Sequence, residues 1–430
     1  MQFSKTIIRT TLAGLFLLFP GHLLAEEHGG EHGGKHGEEH KGAHITLTQD
    51  ATLSMGEVVG LTAERAPERY MVEARTRTGK AYRRKASSFF SDSPQISVHH
   101  QNDFLMSDQG LREWEGRLDL PIWMPGEKRA WQNRARAAGS EADAYRDRLV
   151  WEVAGEVREL LWQVKLTEAA LQDNRAALET AEKLLDDVER RIKAGDLPKN
   201  SVILARQELA ARRIALKGAE RDYVDSAMTY QTITGLASIP ASVEEQQQEV
   251  EDDYAVPPVT HARRQLEYYQ AEYDSARASW SSSPTVTFGV KRERGGYDDR
   301  SIDSVSLGLA IPLGSATHSA PRRAEAAEKL AVAERQLALA MRDQKLALHE
   351  AEHELEVCLV QMEITEEHFA MATENLRLAR RAFELGESDL MDLLRVQDQY
   401  FQSSGTHSLQ KLQCGLAVAR HNQTKGIFPQ

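Results

Sequence analysis

The residues best suited to chemistry form the motif His349-Glu350-Ala-Glu-His353. In an HExxH signature both imidazoles bind zinc and the glutamate activates a zinc-bound water. Such an enzyme also needs a third ligand and a cleft. Both histidines fall on the outer side of a predicted coiled-coil helix, and no downstream ligand pattern follows them. We therefore interpret them as surface residues, and a zinc protease is the least favoured alternative.

A second candidate is the histidine-rich tail over residues 26–44. Its glycines disfavour a stable helix, so we predict a disordered segment. Neutral imidazole binds transition metals, and we expect weak, transient capture of Zn, Cu, Co, Ni or Cd ions; a solvated spacer is the alternative. No other cofactor is expected. The histidines of this tail are His28, His32, His36, His40 and His44.

The remaining composition argues against an enzyme and against a nucleic-acid-binding protein. No nucleophile, phosphate-binding loop or paired-carboxylate motif rises above chance in the 430 residues. The formal net charge is −12, without a basic cluster that would bind nucleic acid. Aromatic residues make up only 7% of the chain. Together with long tracts of Ala, Leu, Glu, Arg and Gln, this predicts extended helices rather than thick globular cores.

Residues 1–25 look like a secretory signal peptide. Lys5 and Arg9 precede an apolar run from Leu12 to Phe19, and Ala25 could precede the cleavage site. The run falls short of the ~20 residues that a membrane span needs. We therefore expect an exported protein without a transmembrane helix. No cysteine lies near the cleavage site, so nothing suggests a lipid anchor.

Cys358 and Cys414 both fall within helical patterns, and neither has a partner at metal-ligand spacing. An exported protein could join them in a disulfide. We instead predict that they are small buried apolar residues.

The chain repeats itself once, because Gly195-Asp196 matches Gly386-Glu387 at an offset of 386 − 195 = 191. A period this long indicates duplication of a whole architectural half. Each half reads as two strands followed by a long helical hairpin. The predicted segments are a first repeat at 45–240 (strands about 94–122, hairpin about 127–235), an acidic Pro-containing connector at 241–258, and a second repeat at 259–430 (strands about 284–313, hairpin about 320–422). The Glu/Gln run of the connector predicts an exposed crossing between the halves.

The strands alternate between apolar and other residues. In the first half Trp114, Gly116, Leu118, Leu120 and Ile122 face one way, and Val305, Leu307, Leu309, Ile311 and Leu313 do so in the second. About ten residues with this alternation is the pattern of an outer-membrane barrel strand. A soluble sandwich strand alternates in the same way.

The helices carry apolar residues at three- and four-residue spacing through six heptads, in the same frame in both halves. This periodicity predicts coiled-coil packing. A helix from Glu127 to Ala194 would be roughly 100 Å long at ~1.5 Å per residue. An element of this length cannot wrap a compact core.

Four strands leave open sheet edges, and unsatisfied edge hydrogen bonds are too costly in a bilayer. The strands must then close with those of other copies. Two copies would give eight strands, whose side chains nearly fill the interior, whereas three would give twelve strands and an aqueous lumen.

From about Thr46 to Phe428 the chain resembles the TolC-type outer-membrane efflux channels. The resemblance rests on the tandem halves, on the strand breaks Leu-Pro at 120–121 and Ile-Pro at 311–312, and on two tip sequences that begin at Arg191 and Phe383. It implies a mainly α fold with membrane β structure: a homotrimer with a twelve-stranded barrel in outer-membrane lipid and a helical tunnel crossing the periplasm. It also implies a periplasmic adaptor (membrane fusion) protein and an inner-membrane resistance-nodulation-division pump as partners.

The resemblance further implies that the hairpin tips form the adaptor-docking and gating end. Asp392 matches the position of an acidic ring in relatives, whereas Arg395 and Ser201 stand where an acid is expected. The tip residues are Gly195, Asp196, Ser201, Gly386, Glu387, Asp392 and Arg395. The expected function is passive efflux, with cargo similar to that of the heavy-metal branch (cobalt-zinc-cadmium or copper-silver). The alternatives are an organic-drug or dye channel of the same fold and a periplasmic coiled-coil scaffold or adaptor.

Overall fold

Two long helical hairpins dominate the computed structural model, which describes residues 47–250, 252–313 and 315–430. The first hairpin consists of α3 (Glu127–Ala194) and α4 (Ser201–Thr234), and the second of α6 (Ser315–Leu385) and α7 (Leu390–Thr424). The 68 residues of α3 span about 100 Å at the rise of an α-helix. The predicted fold class, mainly α with tandem hairpins and four strands beside them, is confirmed.

The four predicted strands form one antiparallel sheet at the end of the hairpins away from their tips. The order is β2 (Gln95–Asn102), β3 (Arg112–Pro121), β5 (Thr285–Arg294) and β6 (Ile302–Ala310). The two halves of the chain meet at β3 and β5, where Leu118 pairs with Phe288. Strands β2 and β6 are therefore the two free edges of the sheet.

Shorter elements lie beside the hairpins, from their sheet-proximal ends to their middle. They are β1 (Thr48–Asp50), α1 (Met55–Arg65), α2 (Arg69–Ser87), β4 (Ser238–Pro240) and α5 (Pro257–Ala278). Strands β1 and β4 pair in parallel, although about half the chain separates them. Helix α1 starts at a capping box, in which Ser54 and Glu57 satisfy each other's backbone N–H groups. Its Val58 packs into the core formed with Val157 and Trp162 of α3 and Tyr230 of α4.

Below this middle level the four long helices lie side by side. Helix α3 packs against both α4 and α7, and α7 packs against α6. The lateral order is thus α4–α3–α7–α6. The two flanks are formed by α4, the second helix of the first hairpin, and by α6, the first helix of the second hairpin. Within the described ranges, no helix is long and apolar enough to cross a membrane.

The prediction for the cysteines was wrong. Cys358 of α6 and Cys414 of α7 form a disulfide, with their Cα atoms 5.5 Å apart. Both residues lie on the seam between the two antiparallel helices, in a cluster with Leu355 and Ala417. Helical periodicity placed each cysteine on the correct face, but it carries no information about which residues of two helices lie opposite each other.

The connector between the halves was expected to be an exposed crossing, yet one of its side chains is anchored inside. The Arg158 guanidinium of α3, 1% exposed, donates hydrogen bonds to both carboxylate oxygens of Glu245 at 2.7 Å. Arg158 also binds the Gln423 side chain and the Ile427 carbonyl. The buried Asn422 side chain reaches Glu245 as well, at 3.2 Å. The connector is therefore held against α3 and the C-terminal end of α7.

Lys425, just beyond α7, provides a second attachment for the connector. Its Nζ lies 2.9 Å from Oδ1 of Asp253 and 3.7 Å from Oε1 of Glu352 on α6. Burial disfavours the charged amine, but the hydrogen bond and ion pair with Asp253 outweigh that effect and raise the pKa of Lys425. The lysine thus ties the connector to α6 and α7 in its charged form.

Candidate functional site: the apolar sheet, the flanking helices and the hairpin tips

One face of the sheet is apolar and open. The alternation of side chains places residues from all four strands in common rows on this face. One row joins Ile96, Leu118, Phe288 and Leu307, and the next joins Val98, Gly116, Val290 and Val305. The exposed fraction reaches 80% at Ile96 and 84% at Val305. An exposed apolar surface that crosses all four strands needs a nonaqueous environment or a partner.

The opposite face of the sheet carries charged and polar residues. Lys291 of β5 lies 3.0 Å from Glu113 of β3, and Arg117 pairs with Glu115 along β3. The hydroxyl of Thr287 donates to Asp119 of the neighbouring strand. This face suits water, so the sheet separates an apolar side from an aqueous side.

Helix α6 exposes a long apolar stripe, which we call the α6 stripe. Its members recur mostly at seven-residue spacing, so they share one side of the helix. The residues buried against α7, among them Leu355, Leu376 and Phe383, lie on the opposite side. The α6 stripe consists of Val332, Leu339, Leu346, Val357, Val360, Ile364, Met371, Leu378 and Leu385, with exposed fractions of 36% to 60%.

Helix α4, on the other flank, exposes a sparser apolar stripe of three residues, which we call the α4 stripe. Ile203, Ile214 and Met228 are 59%, 75% and 48% exposed. At 3.6 residues per turn these three side chains share one face. The buried residues Ala205 and Tyr230 lie on the far side, towards α3. Both flanking helices thus present apolar surface away from the rest of the chain.

Glycine ends the outgoing helix at each hairpin tip. Gly195 and Gly386 have φ values of 88° and 76°, a left-handed conformation that suits glycine. In both tips the next residue closes the helix, as the N–H groups of Asp196 and Glu387 donate to carbonyls five residues earlier. The matched glycines predicted from the repeat therefore form matched turns, with Asp196 and Glu387 exposed.

The two tips pack against each other through one apolar cluster. It combines Val188 of α3 and Ala205 of α4 with Phe383 of α6 and Leu393 of α7. The Arg191 guanidinium lies over the Phe383 ring at 4.8 Å from its centroid and also donates to the Phe383 carbonyl. This packing fixes the relative position of the two turns within one chain.

The charged residues predicted for the tips are arranged as a local pair. Asp389 caps α7 by accepting from the Asp392 N–H, and Arg395 lies 3.2 Å from Oδ1 of Asp392. Both members of the pair are exposed, and the positive charge partly balances the acid. Ser201, by contrast, lies at the start of α4 and is 5% exposed. Its side chain is uncharged and buried, so it adds no charge to the tip surface.

The histidines of the HExxH motif lie on the outside of α6. His349, Glu350 and His353 are all exposed. No group of three or more His, Cys, Asp or Glu side chains could hold a metal ion within the part of the chain that the structure describes. The third ligand of a zinc protease is therefore missing there. The tail histidines, and the predicted signal peptide, lie outside the described residues.

The stripes on α4 and α6 are the functional surface that sequence analysis missed. The heptad frame identified from the sequence consists mostly of residues that pack inside the chain, such as Val157 and Leu355, and contains none of the stripe residues. A second seven-residue series on α6, from Val357 through Ile364 to Leu385, was present in the sequence and would have revealed the stripe.

The comparisons with known proteins agree with this geometry. No protein-family model matches the sequence, and no curated protein matches it significantly. Among solved structures, the outer membrane protein VceC of Vibrio cholerae is 15% identical with a TM-score of 0.69, covering 87% of this chain and 96% of its own. The chain has the fold of the outer-membrane channels. The likeness to TolC-type efflux channels inferred from the sequence is thus confirmed at the level of the fold.

Two further structures extend the match. The Campylobacter jejuni CmeC outer membrane channel is 12% identical with a TM-score of 0.68, covering 87% of this chain and 86% of its own. CusC, described as undergoing transmembrane channel formation, is 14% identical with a TM-score of 0.68, covering 91% of this chain and 99% of its own. The similarity therefore includes the sheet, both hairpins and the elements around their middle.

Proposed function

We propose that this protein is the outer-membrane channel subunit of a tripartite efflux system and works as a homotrimer. The observation that carries the proposal is that both lateral flanks of the folded chain present surfaces without a partner. Strands β2 and β6 leave their outer edges unpaired, and helices α4 and α6 leave apolar stripes on the corresponding sides.

These flanks are different surfaces, so copies must join head to tail. Such heterologous contacts produce a closed ring when the rotation between copies closes. In the ring, β2 of one copy pairs with β6 of the next, and the α4 stripe of one copy packs against the Val357-to-Leu385 part of the α6 stripe of the next. Three copies give twelve strands, enough to enclose an aqueous lumen. The apolar face of the sheet then contacts outer-membrane lipid, and its charged face lines the pore.

The helices extend this pore through the periplasm as a tunnel. The protein conducts its cargo passively, while an inner-membrane pump of the resistance-nodulation-division class supplies the energy and a periplasmic adaptor joins the two. Support comes from the fold shared with outer-membrane channels.

The channel can be tested directly by reconstitution. Protein from outer-membrane fractions should run as a heat-modifiable trimer and produce discrete ionic conductance in planar bilayers. A protein recovered only from the soluble periplasm, without conductance, would favour a coiled-coil scaffold instead.

For the cargo we favour heavy-metal cations. The support is the histidine-rich tail, whose imidazoles suit Zn, Cu, Co, Ni and Cd. A deletion strain should lose tolerance to at least one ion among zinc, cadmium, cobalt, nickel, copper and silver. Unchanged tolerance to all six, with altered tolerance to dyes or antibiotics, would assign the cargo to organic molecules.

The hairpin tips are the gating and docking end of the channel. Arg395 reduces the negative charge of Asp392, its partner at 3.2 Å. Because three copies bring three such pairs around the tunnel, Arg395→Ala should increase cation over anion selectivity in bilayer recordings. Arg381→Ala, which removes an exposed arginine paired with Glu384 on α6, is the control. Equal selectivity in the two variants would remove Asp392 and Arg395 from the gate.

A further inference from the structure

The exposed side of α6 carries a second feature, which interrupts the α6 stripe. Between Leu346 and Val357 the apolar series gives way to His349 and His353. Both imidazoles are exposed, and their rings are nearly parallel, at 10°, with centroids 6.4 Å apart. Residues four apart on a helix are neighbours on one face. The two rings can therefore present nitrogen atoms to the same ion.

Neither imidazole is committed to another role. Within the described chain, no hydrogen bond joins His349 or His353 to another group. The carboxylates of Glu350 and Glu356 lie within one helical turn of the pair and make the local potential favourable for a cation. The rigid helix fixes the spacing of the two ligands in advance, which lowers the entropic cost of binding by both.

We propose that His349 and His353 chelate a transition-metal ion on the outer face of α6. Imidazole is a good ligand for copper(II), nickel(II), cobalt(II) and zinc(II). Among these ions we expect copper(II) to bind most tightly. Two protein ligands leave the other coordination positions to water, so the ion exchanges readily. The site does not depend on the proposed channel function, because both ligands belong to one helix of one chain.

In the proposed ring, the α4 of the next copy would not cover the ion. Arg420 contacts both Glu159 of α3 and Glu354 of α6, at 2.6 and 2.7 Å, so these residues lie at one level. On the other side of α3, Thr167 bonds to Ser226 of α4 at 2.7 Å. Glu159 lies eight residues before Thr167, towards the start of α3, and at that level the antiparallel α4 has reached its end at Thr234. In the ring, the α4 of the next copy therefore ends at the level of the histidine pair and does not cover it.

The site is tested by titrating the full-length protein with Cu²⁺ or Zn²⁺ in detergent, in a background where the five tail histidines are replaced by glutamine. We expect one ion per chain. His349→Gln or His353→Gln alone should weaken binding by roughly 100-fold, since each removes the advantage of two linked ligands. The double variant should bind more weakly than either single one, but by less than the sum of the two single losses. His318→Gln, at an exposed position on the same helix, should change nothing.

Absence of binding in this background, unchanged affinity in the double variant, or two independent and additive losses would each overturn the proposal. Because substitutions can disturb folding, the electron paramagnetic resonance spectrum of the Cu²⁺-loaded background protein provides a second readout. It should show two coordinating imidazole nitrogens, whereas one nitrogen or none would refute chelation. Conductance of the reconstituted protein tests the channel separately, so the two proposals fail independently.

Discussion

The ion pair between Arg158 and Glu245 gives the sharpest prediction about how the two halves of the chain are held together. Arg158 is almost completely buried, and Glu245 is the only carboxylate among its hydrogen-bond partners in the described chain. Replacing Glu245 by alanine leaves the guanidinium charge buried, with only the Gln423 amide and the Ile427 carbonyl to solvate it. The connector also loses its carboxylate contact with Asn422.

The expected magnitude follows from the burial of this pair. Removing one partner of a buried ion pair costs about 3–5 kcal/mol. Since each ~1.4 kcal/mol is a factor of ten in an equilibrium constant, detachment of the connector should become about 10²- to 10³-fold more frequent. The effect should centre on the connector, because Arg158 and Asn422 are the hydrogen-bond partners of Glu245 among the described residues.

Native-state proteolysis of the connector with a Glu-specific protease measures this detachment. When opening and closing are fast, the cleavage rate follows the population of the open form. Glu244→Ala is the matched control, because it removes a neighbouring, exposed cleavage site without touching Arg158. Equal cleavage rates in the Glu245→Ala and Glu244→Ala variants would refute the anchoring role of the pair.

Three further variants test the packing of the helices. Ile364→Asp, in the α6 stripe, should dissociate the trimer into folded monomers on native gels. Leu359→Asp, equally exposed on another face of α6, should leave the trimer intact. Equal behaviour of the two variants would exclude the stripe as the interface. Replacing Cys358 and Cys414 by serine should lower the free energy of unfolding in a denaturant titration by about 4 kcal/mol, which is the loop-closure value for a separation of 56 residues. An unchanged unfolding midpoint would show that the disulfide adds no stability. Burial raises the pKa of Asp173, so the folded state favours its protonated form and stability should rise as pH falls towards the unfolded pKa of about 3.9. Asp173→Asn should therefore stabilise the protein at pH 7 and flatten its pH dependence between 4 and 6; the same slope in both proteins would contradict this.

The periodic parts of the sequence predicted the architecture because their signal is local. Val157 and Leu355, for example, occupy the heptad positions that face a partner helix, and both are buried. Trp114 and Leu118 alternate along β3 and lie on the exposed apolar face of the sheet. Each of these residues reveals its environment through its spacing from near neighbours.

The parts that sequence analysis missed depend on contacts between distant segments. The disulfide of Cys358 and Cys414 requires the register between two helices, which no single periodicity contains. The parallel pair of β1 and β4 is three residues long on each strand, too short for an alternation signal. Glu245 looked like one of several exposed acids because its partner, Arg158, is 87 residues away.

The central claim is that copies of this chain together form one β-barrel. Cross-linking β2 of one copy to β6 of the next tests it most directly. Ser97 of β2 would be replaced by cysteine together with one of three residues on the same face of β6: Ser304, Ser306 or Gly308. Within one chain three strand spacings of ~4.8 Å separate these edges, too far for a disulfide. The account predicts that oxidation in intact outer membranes gives covalent dimers and trimers for at least one pair. Only monomers for all three pairs would contradict it.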